Sequence, residues 1–181
     1  MFERNRHMEL LEIMRNRRSV RTYTGEPVPE DKLLKILKAG LLSASGRAVR
    51  PWEFLVVQKK ETLRKMADSR AAGAKMLMDA DCAVVVLGDE EKTDVWTEDC
   101  SIAMANMHLM ADSLGVGSCW IQGRLREASD GRSTEAYLRE LLGYPEHLKL
   151  EAVLSLGMPK DHPRPYDLEE LPMEKVHREL F

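Results

Sequence analysis

Cysteine, aromatic side chains, net positive charge and long apolar runs are all in short supply in this sequence. The three cysteines, Cys82, Cys100 and Cys119, are odd in number, widely spaced and set among apolar neighbours. They form no CxxC pair and no disulfide framework, so reduced, packed thiols in a cytoplasmic protein are expected. Only three Trp, four Tyr and three Phe are present, which leaves the core to aliphatic residues and eleven Met. Lys and Arg number 27 against 30 Asp and Glu, a net charge of -3, and the pI is near 6.0. That balance argues against nucleic acid as a partner. No run of 18 apolar residues exists, so no membrane-spanning helix is expected. The opening MFERNRHMELLEIM reads as a charged amphipathic helix, without the apolar stretch and small-residue cleavage site of a secretion signal. The histidines, His7, His108, His147, His162 and His177, fall in no cluster with metal-ligand spacing, and no metal is expected.

What is present suits one domain over residues 1–181, with an extended tail from about residue 158. A first helix is expected from about Glu9 to Arg17, burying Leu10, Leu11, Ile13 and Met14. Pro29 opens a second helix, with Leu33, Leu34, Leu37 and Leu41 as its apolar face. The stretch Ser43 to Arg50 is irregular, and Trp52 to Val57 is a strand. A charged helix follows from about Glu61 to Arg70, and Ala83 to Leu87 reads as a buried central strand. From about Asp94 to Leu114 runs a helix that is apolar on nearly all sides, suited to a core or a large interface. Gly115 ends it in a left-handed cap. Val116 to Ile121 and Glu151 to Leu156 are strands, and Thr134 to Leu142 is a helix capped by Ser133 and stopped by Gly143. Helices precede the first strand and no clean βαβ series appears, which predicts an α+β domain with helices on a modest sheet. The proline-rich, charged tail after Gly157 suits wrapping a partner subunit.

Three segments could carry chemistry. Arg17-Arg18-Ser19-Val20-Arg21 concentrates three guanidiniums and a hydroxyl. Arginine forks match phosphate oxygens, although a solvated charge run at a helix C-terminus has the same appearance. Ser45-Gly46-Arg47-Ala48-Val49-Arg50-Pro51-Trp52 is a small-residue loop that lets backbone approach a flat ligand, with Arg47 and Arg50 adding positive charge. Trp52 itself reads as a core residue. In Gly115-Val116-Gly117-Ser118-Cys119-Trp120-Ile121-Gln122-Gly123, Trp120 stands where a GxGxxG motif needs its third glycine. The segment also runs from helix to strand, the reverse of the Rossmann order. It reads instead as a turn and strand presenting Gln122 and Gly123 at its end. Cys119 could serve as a nucleophile, but in its apolar run a packed thiol is expected. His108 reads as a hydrogen-bonded helix residue.

Taken in order over roughly residues 8 to 160, these segments resemble the nitroreductase family of FMN enzymes. The resemblance implies a three-layer sandwich, a mainly antiparallel sheet with helices on both sides, and an intertwined homodimer with FMN at the interface. It implies that Arg17, Arg18, Ser19 and Arg21 hold the phosphate, ribityl and pyrimidine parts of FMN, with Arg21 near N1 and O2 and Lys75 in the same region. Ser45, Gly46, Arg47, Ala48 and Arg50 would approach from the partner subunit, and Gln122 and Gly123 would lie near N5. Many relatives have Asn where Ala48 stands and Gln where Arg50 stands. Of the two basic tail residues many relatives use for phosphate, Arg164 alone has a counterpart. The implied reaction takes hydride from NADH or NADPH to the flavin and on to a nitroaromatic, a quinone or a similar small acceptor. No side chain stands out as a catalytic acid, base or nucleophile. An FMN carrier or sensor without fast turnover, specialised flavin chemistry on the same fold, and a structural dimer without cofactor are the alternatives.

Overall fold

The computed structural model describes residues 9–181; residues 1–8, which carry the first part of the expected amphipathic opening and His7, lie outside the described residues. Four strands, β1 (Trp52–Val57), β2 (Cys82–Asp89), β3 (Gly117–Gln122) and β4 (Leu148–Gly157), form one sheet in the order β1-β2-β4-β3. Every pairing is antiparallel. Both faces of the inner strands are covered, so β2 is buried along its whole length. Successive side chains alternate sides: Cys82, Val84 and Val86 enter one core, and Ala83, Val85 and Leu87 the other.

Among the described residues, five α-helices complete the layers: α1 (Leu10–Asn16), α2 (Glu30–Leu41), α3 (Lys60–Met66), α4 (Trp96–Ser113) and α5 (Thr134–Leu142). Helices α2 and α4 pack on one face through Leu33, Ile36, Ala103, Met104 and Met107. Helices α3 and α5 pack on the other through Leu63, Met66 and Leu138. Each fully buried side chain of this size contributes roughly 1.5–3 kcal/mol. The result is the expected α+β three-layer sandwich. As the sequence suggested, Gly115 and Gly143 close α4 and α5 with left-handed backbone, at φ 70° and 75°. The Ser133 hydroxyl accepts from the Ala136 N–H at the start of α5.

Several expectations need correction. On α2 the buried stripe is Leu33, Ile36 and Gly40, the spacing a 3.6-residue period selects; Leu34 and Leu41 are exposed. Helix α1 buries no residue, and Leu10, Leu11 and Met14 are exposed. Its apolar side packs mainly against α4, beside a groove that Ala39 and Leu42 also line. Helix α3 stops at Met66, four residues before the expected end. Strands β2 and β4 extend beyond the expected runs. Between them the register shifts, so that Glu151 is passed over while Leu150 pairs with Leu87 and Ala152 with Val86. Such a bulge re-aims side chains locally.

Candidate functional site

The chain leaving α1 lies beside the start of β3 through a parallel bridge between Ser19 and Ser118. The Val20 N–H donates to the Ser118 carbonyl at 2.9 Å. Val20 and Tyr23 point inward with Ala80. The Tyr23 hydroxyl donates to the Val20 carbonyl and shares a 2.7 Å hydrogen bond with Ser155. With those two side chains pinned inside, Arg17, Arg18, Ser19 and Arg21 line a polar cavity of about 260 Å³, closed by Pro163 and Tyr166 of the tail. The strip is therefore a built pocket rather than a loose run of charge.

Each arginine has a defined support. Arg18 donates to the Arg164 carbonyl and stacks on the Tyr166 ring at 4.4 Å. Arg21 donates to the Ser19 carbonyl at 3.4 Å. Arg17 meets Nε2 of His108, from α4, at 3.0 Å, and Nδ1 of that ring lies 2.5 Å from the Ser118 hydroxyl. Burial, and then the adjacent Arg17 charge, push the His108 imidazole down to about 4. Arg164 reaches the strip through its backbone, and its side chain is exposed. The tail is tied to the same strip by Lys160 N–H to the Thr22 carbonyl and Tyr166 N–H to the Arg15 carbonyl.

The other expected residues lie apart from this pocket. The Ser45–Arg50 loop hangs on α4, where the Asp99 carboxylate accepts from the Gly46 N–H at 2.8 Å. The Ser45 hydroxyl accepts from the Arg50 N–H at 2.9 Å. Arg47, Ala48 and Arg50 all adopt left-handed backbone, at φ 53°, 56° and 52°, and all three are exposed. A non-glycine residue in that region costs roughly 1–2 kcal/mol, and a cluster of such residues persists only where surrounding bonds fix it. Lys75 is turned to Asp68, 2.9 Å from its carboxylate; it does not line the arginine pocket. Gln122 closes β3, about 13 Å along the strand from Ser118 at roughly 3.3 Å per residue. Its carbonyl accepts from Arg70 at 2.6 Å, and the Gly123 N–H donates to the Glu151 carbonyl at 3.1 Å. Arg70 and Arg126 line a second cavity of about 350 Å³. The sequence reading missed His108 and Arg70 as site residues. For Arg70 the small-residue run Ala71-Ala72-Gly73-Ala74 beside it was the available signal.

A family model described as the nitroreductase family matches residues 14–75 and 68–158. The chain belongs to the nitroreductase family. It is 38% identical over 178 residues to an Archaeoglobus fulgidus protein named "Putative NADH dehydrogenase/NAD(P)H nitroreductase", covering 96% of this chain and 99% of that one. A solved structure of an FMN-dependent nitroreductase from Clostridium difficile R20291 superposes with a TM-score of 0.91 at 40% identity, covering 94% and 99% of the two chains. An NADPH:FMN oxidoreductase from Vibrio harveyi, solved with NAD+, gives a TM-score of 0.80 at 25% identity, covering 95% and 77%.

Against the nitroreductase pattern read from the sequence, the backbone explains one departure. Ala48 stands in left-handed backbone, a region asparagine tolerates better than alanine. Other reactive groups are quiet. Cys82, Cys100 and Cys119 are buried, and burial pushes the first two thiols up to about 12 and raises the third. Among the described residues no group of His, Cys, Asp or Glu is placed to hold a metal. Among those residues, too, no helix is long and apolar enough to cross a membrane.

Proposed function

We propose that this protein is an FMN-dependent oxidoreductase that uses NADH or NADPH to reduce a small electron-poor acceptor, and that it works as a homodimer. The observation that carries the reading is the pocket lined by Arg17, Arg18, Ser19 and Arg21, with no carboxylate on its wall. Its donor set fits a phosphate monoester: fork-shaped guanidiniums and a hydroxyl on a rigid backbone. The Clostridium FMN-dependent nitroreductase and the Vibrio NADPH:FMN oxidoreductase favour the same group. When bound, FMN would accept hydride at N5 from the nicotinamide and return it to the acceptor.

The chain's own residues would bind and orient. Arg17, Arg18 and Ser19 would hold the phosphate end, with Tyr166 and Pro163 as the lid. Arg21 would place positive charge beside the pyrimidine edge, favouring the reduced, anionic form. Gln122 and Gly123 would approach the redox end, with Arg70 fixing the Gln122 carbonyl. Lys75, paired with Asp68, could take part only after exchanging that partner. Ser45, Gly46, Arg47, Ala48 and Arg50 would cover the cofactor of the second copy, which accounts for a loop anchored at its base and exposed at its tip.

The dimer reading rests on unsupported apolar surface. Leu10, Leu11, Met14, Leu41, Leu42 and Ile102 are exposed, beside a groove lined by Leu10, Ile13, Ala39, Leu42, Leu109 and Met110. The tail adds exposed Leu171, Met173, Val176, Leu180 and Phe181. Apolar surface on this scale marks an interface. Light scattering should give a particle of twice the 20.6 kDa chain mass; a monomer would refute the assembly.

For the activity, anaerobic titration of the yellow protein with NADH and NADPH is the test. Bleaching of the visible flavin bands by either nucleotide, followed by return of colour on adding a quinone or nitroaromatic, is expected. Colour that never bleaches would replace this reading with a flavin carrier or sensor.

A further inference from the structure

His108 is the buried polar residue of α4 whose contacts lead directly into the arginine pocket. Arginine has only donors, so the 3.0 Å contact makes His108 Nε2 the acceptor from Arg17. The ring proton must then sit on Nδ1, where it donates to the Ser118 hydroxyl at 2.5 Å. The contact with Arg17 requires an uncharged ring, because a protonated imidazolium has no acceptor to offer, and the low imidazole pKa agrees with that. Ser118 is in turn the residue whose carbonyl accepts from Val20 in the strip. One side chain from α4 therefore braces the arginine strip twice, once at Arg17 and once through β3.

We propose that His108 is a positioning residue for the phosphate end of the cofactor: it holds one side of the Arg17 guanidinium so that the other donors stay turned to the pocket. The inference rests on the FMN reading above. An arginine held on one edge loses less freedom when it binds an oxyanion. A doubly charged phosphate gains from that arrangement and the uncharged isoalloxazine does not. His108 thus acts on selectivity for FMN over riboflavin, rather than on flavin binding in general. The asymmetry of its contacts separates the two supports: a glutamine amide can present an acceptor near the position of Nε2, whereas an asparagine amide reaches only toward Ser118.

The test is fluorescence titration of the flavin-stripped full-length protein with FMN and with riboflavin. Wild type, His108→Gln, His108→Asn and His108→Leu are compared, with circular dichroism confirming the fold of each. Wild type should prefer FMN. His108→Leu and His108→Asn should weaken FMN binding about tenfold and leave riboflavin binding unchanged, while His108→Gln restores most of the FMN preference. Should His108→Leu fail to fold, the Gln and Asn pair carries the comparison alone. Equal FMN preference in wild type and His108→Asn would overturn the positioning role while leaving the cofactor reading intact. A wild type that binds riboflavin as tightly as FMN would instead overturn the phosphate pocket itself.

Discussion

Two segments of this chain have nearly the same ingredients and opposite mechanical character. Residues 17–21 and residues 45–50 each combine a serine with closely spaced arginines. The first is stitched to β3, to a buried histidine and to the tail, and it encloses a cavity within one chain. The second is held near its base by Asp99 and Ser45, with a long, exposed ion pair from Arg47 to Asp94, and carries three left-handed residues outward. Residue type is shared; what differs is the support behind it. The first forms the wall of a cavity, and the second presents its arginines to solvent; on the proposed function the first would grip a ligand and the second would meet the cofactor of another copy.

The sharpest way to break this contrast is by substitution. Removing Arg17 and Arg21 together deletes two charge-assisted contacts, each worth about 1.5–3 kcal/mol. FMN affinity should fall by about a hundredfold or more. The pair Arg47→Ala and Arg50→Ala should cost about tenfold or less, and should also loosen the dimer. Equilibrium dialysis of all variants against FMN decides the order, and the reverse order would void the distinction.

A second expectation concerns acid. An unfolded histidine titrates near 6.5, but buried His108 titrates near 4. As pH falls, the unfolded chain takes up the proton first. The stability associated with the neutral ring is therefore full above about pH 6.5 and declines as pH falls toward 4. The loss between pH 7 and 4.5 should be about 2 to 3 kcal/mol as an upper bound. Burial raises the Glu151 carboxyl and works in the opposite direction, so urea unfolding should compare wild type with His108→Leu at both pH values. A pH difference that survives intact in the variant would assign the acid sensitivity elsewhere.

The smallest expected effect lies in the strained loop. Ala48→Gly removes a side chain from a left-handed position and should stabilise the protein by about 1 kcal/mol. A drop in melting temperature would show that the Ala48 methyl makes a contact that outweighs the strain.

The division between legible and hidden features follows the range of the interactions involved. Strand β1 and helix α5 were readable to the residue, because β-branched runs, a serine cap and a glycine stop act within a few positions. The sequence reading of α2 misses Ile36 and includes Leu34 and Leu41, because these two exposed leucines are as apolar as buried Leu33. Helix α1 looks like a core helix because exposed apolar residues such as Leu10, Leu11 and Met14 have the same composition as those facing a sheet. The density of arginines at residues 17–21 is equally that of a solvated charge run at a helix end, and the order of the three segments, through the family resemblance, singles it out. The brace behind it has no such signal, since His108 lies 91 residues from Arg17 and nothing near it in sequence announces the pairing.

The buried thiols give the molecule an unplanned gauge of its own integrity. Cys82 and Cys100 are fully shielded and Cys119 nearly so, and all three are held protonated by their surroundings. Only the thiolate reacts readily with alkylating reagents, so labelling must wait for the chain to open. Cys82 and Cys119 lie on β2 and β3, and Cys100 on α4. The order in which the three acquire label would then record which layer of the sandwich parts first, without adding a probe to the sequence.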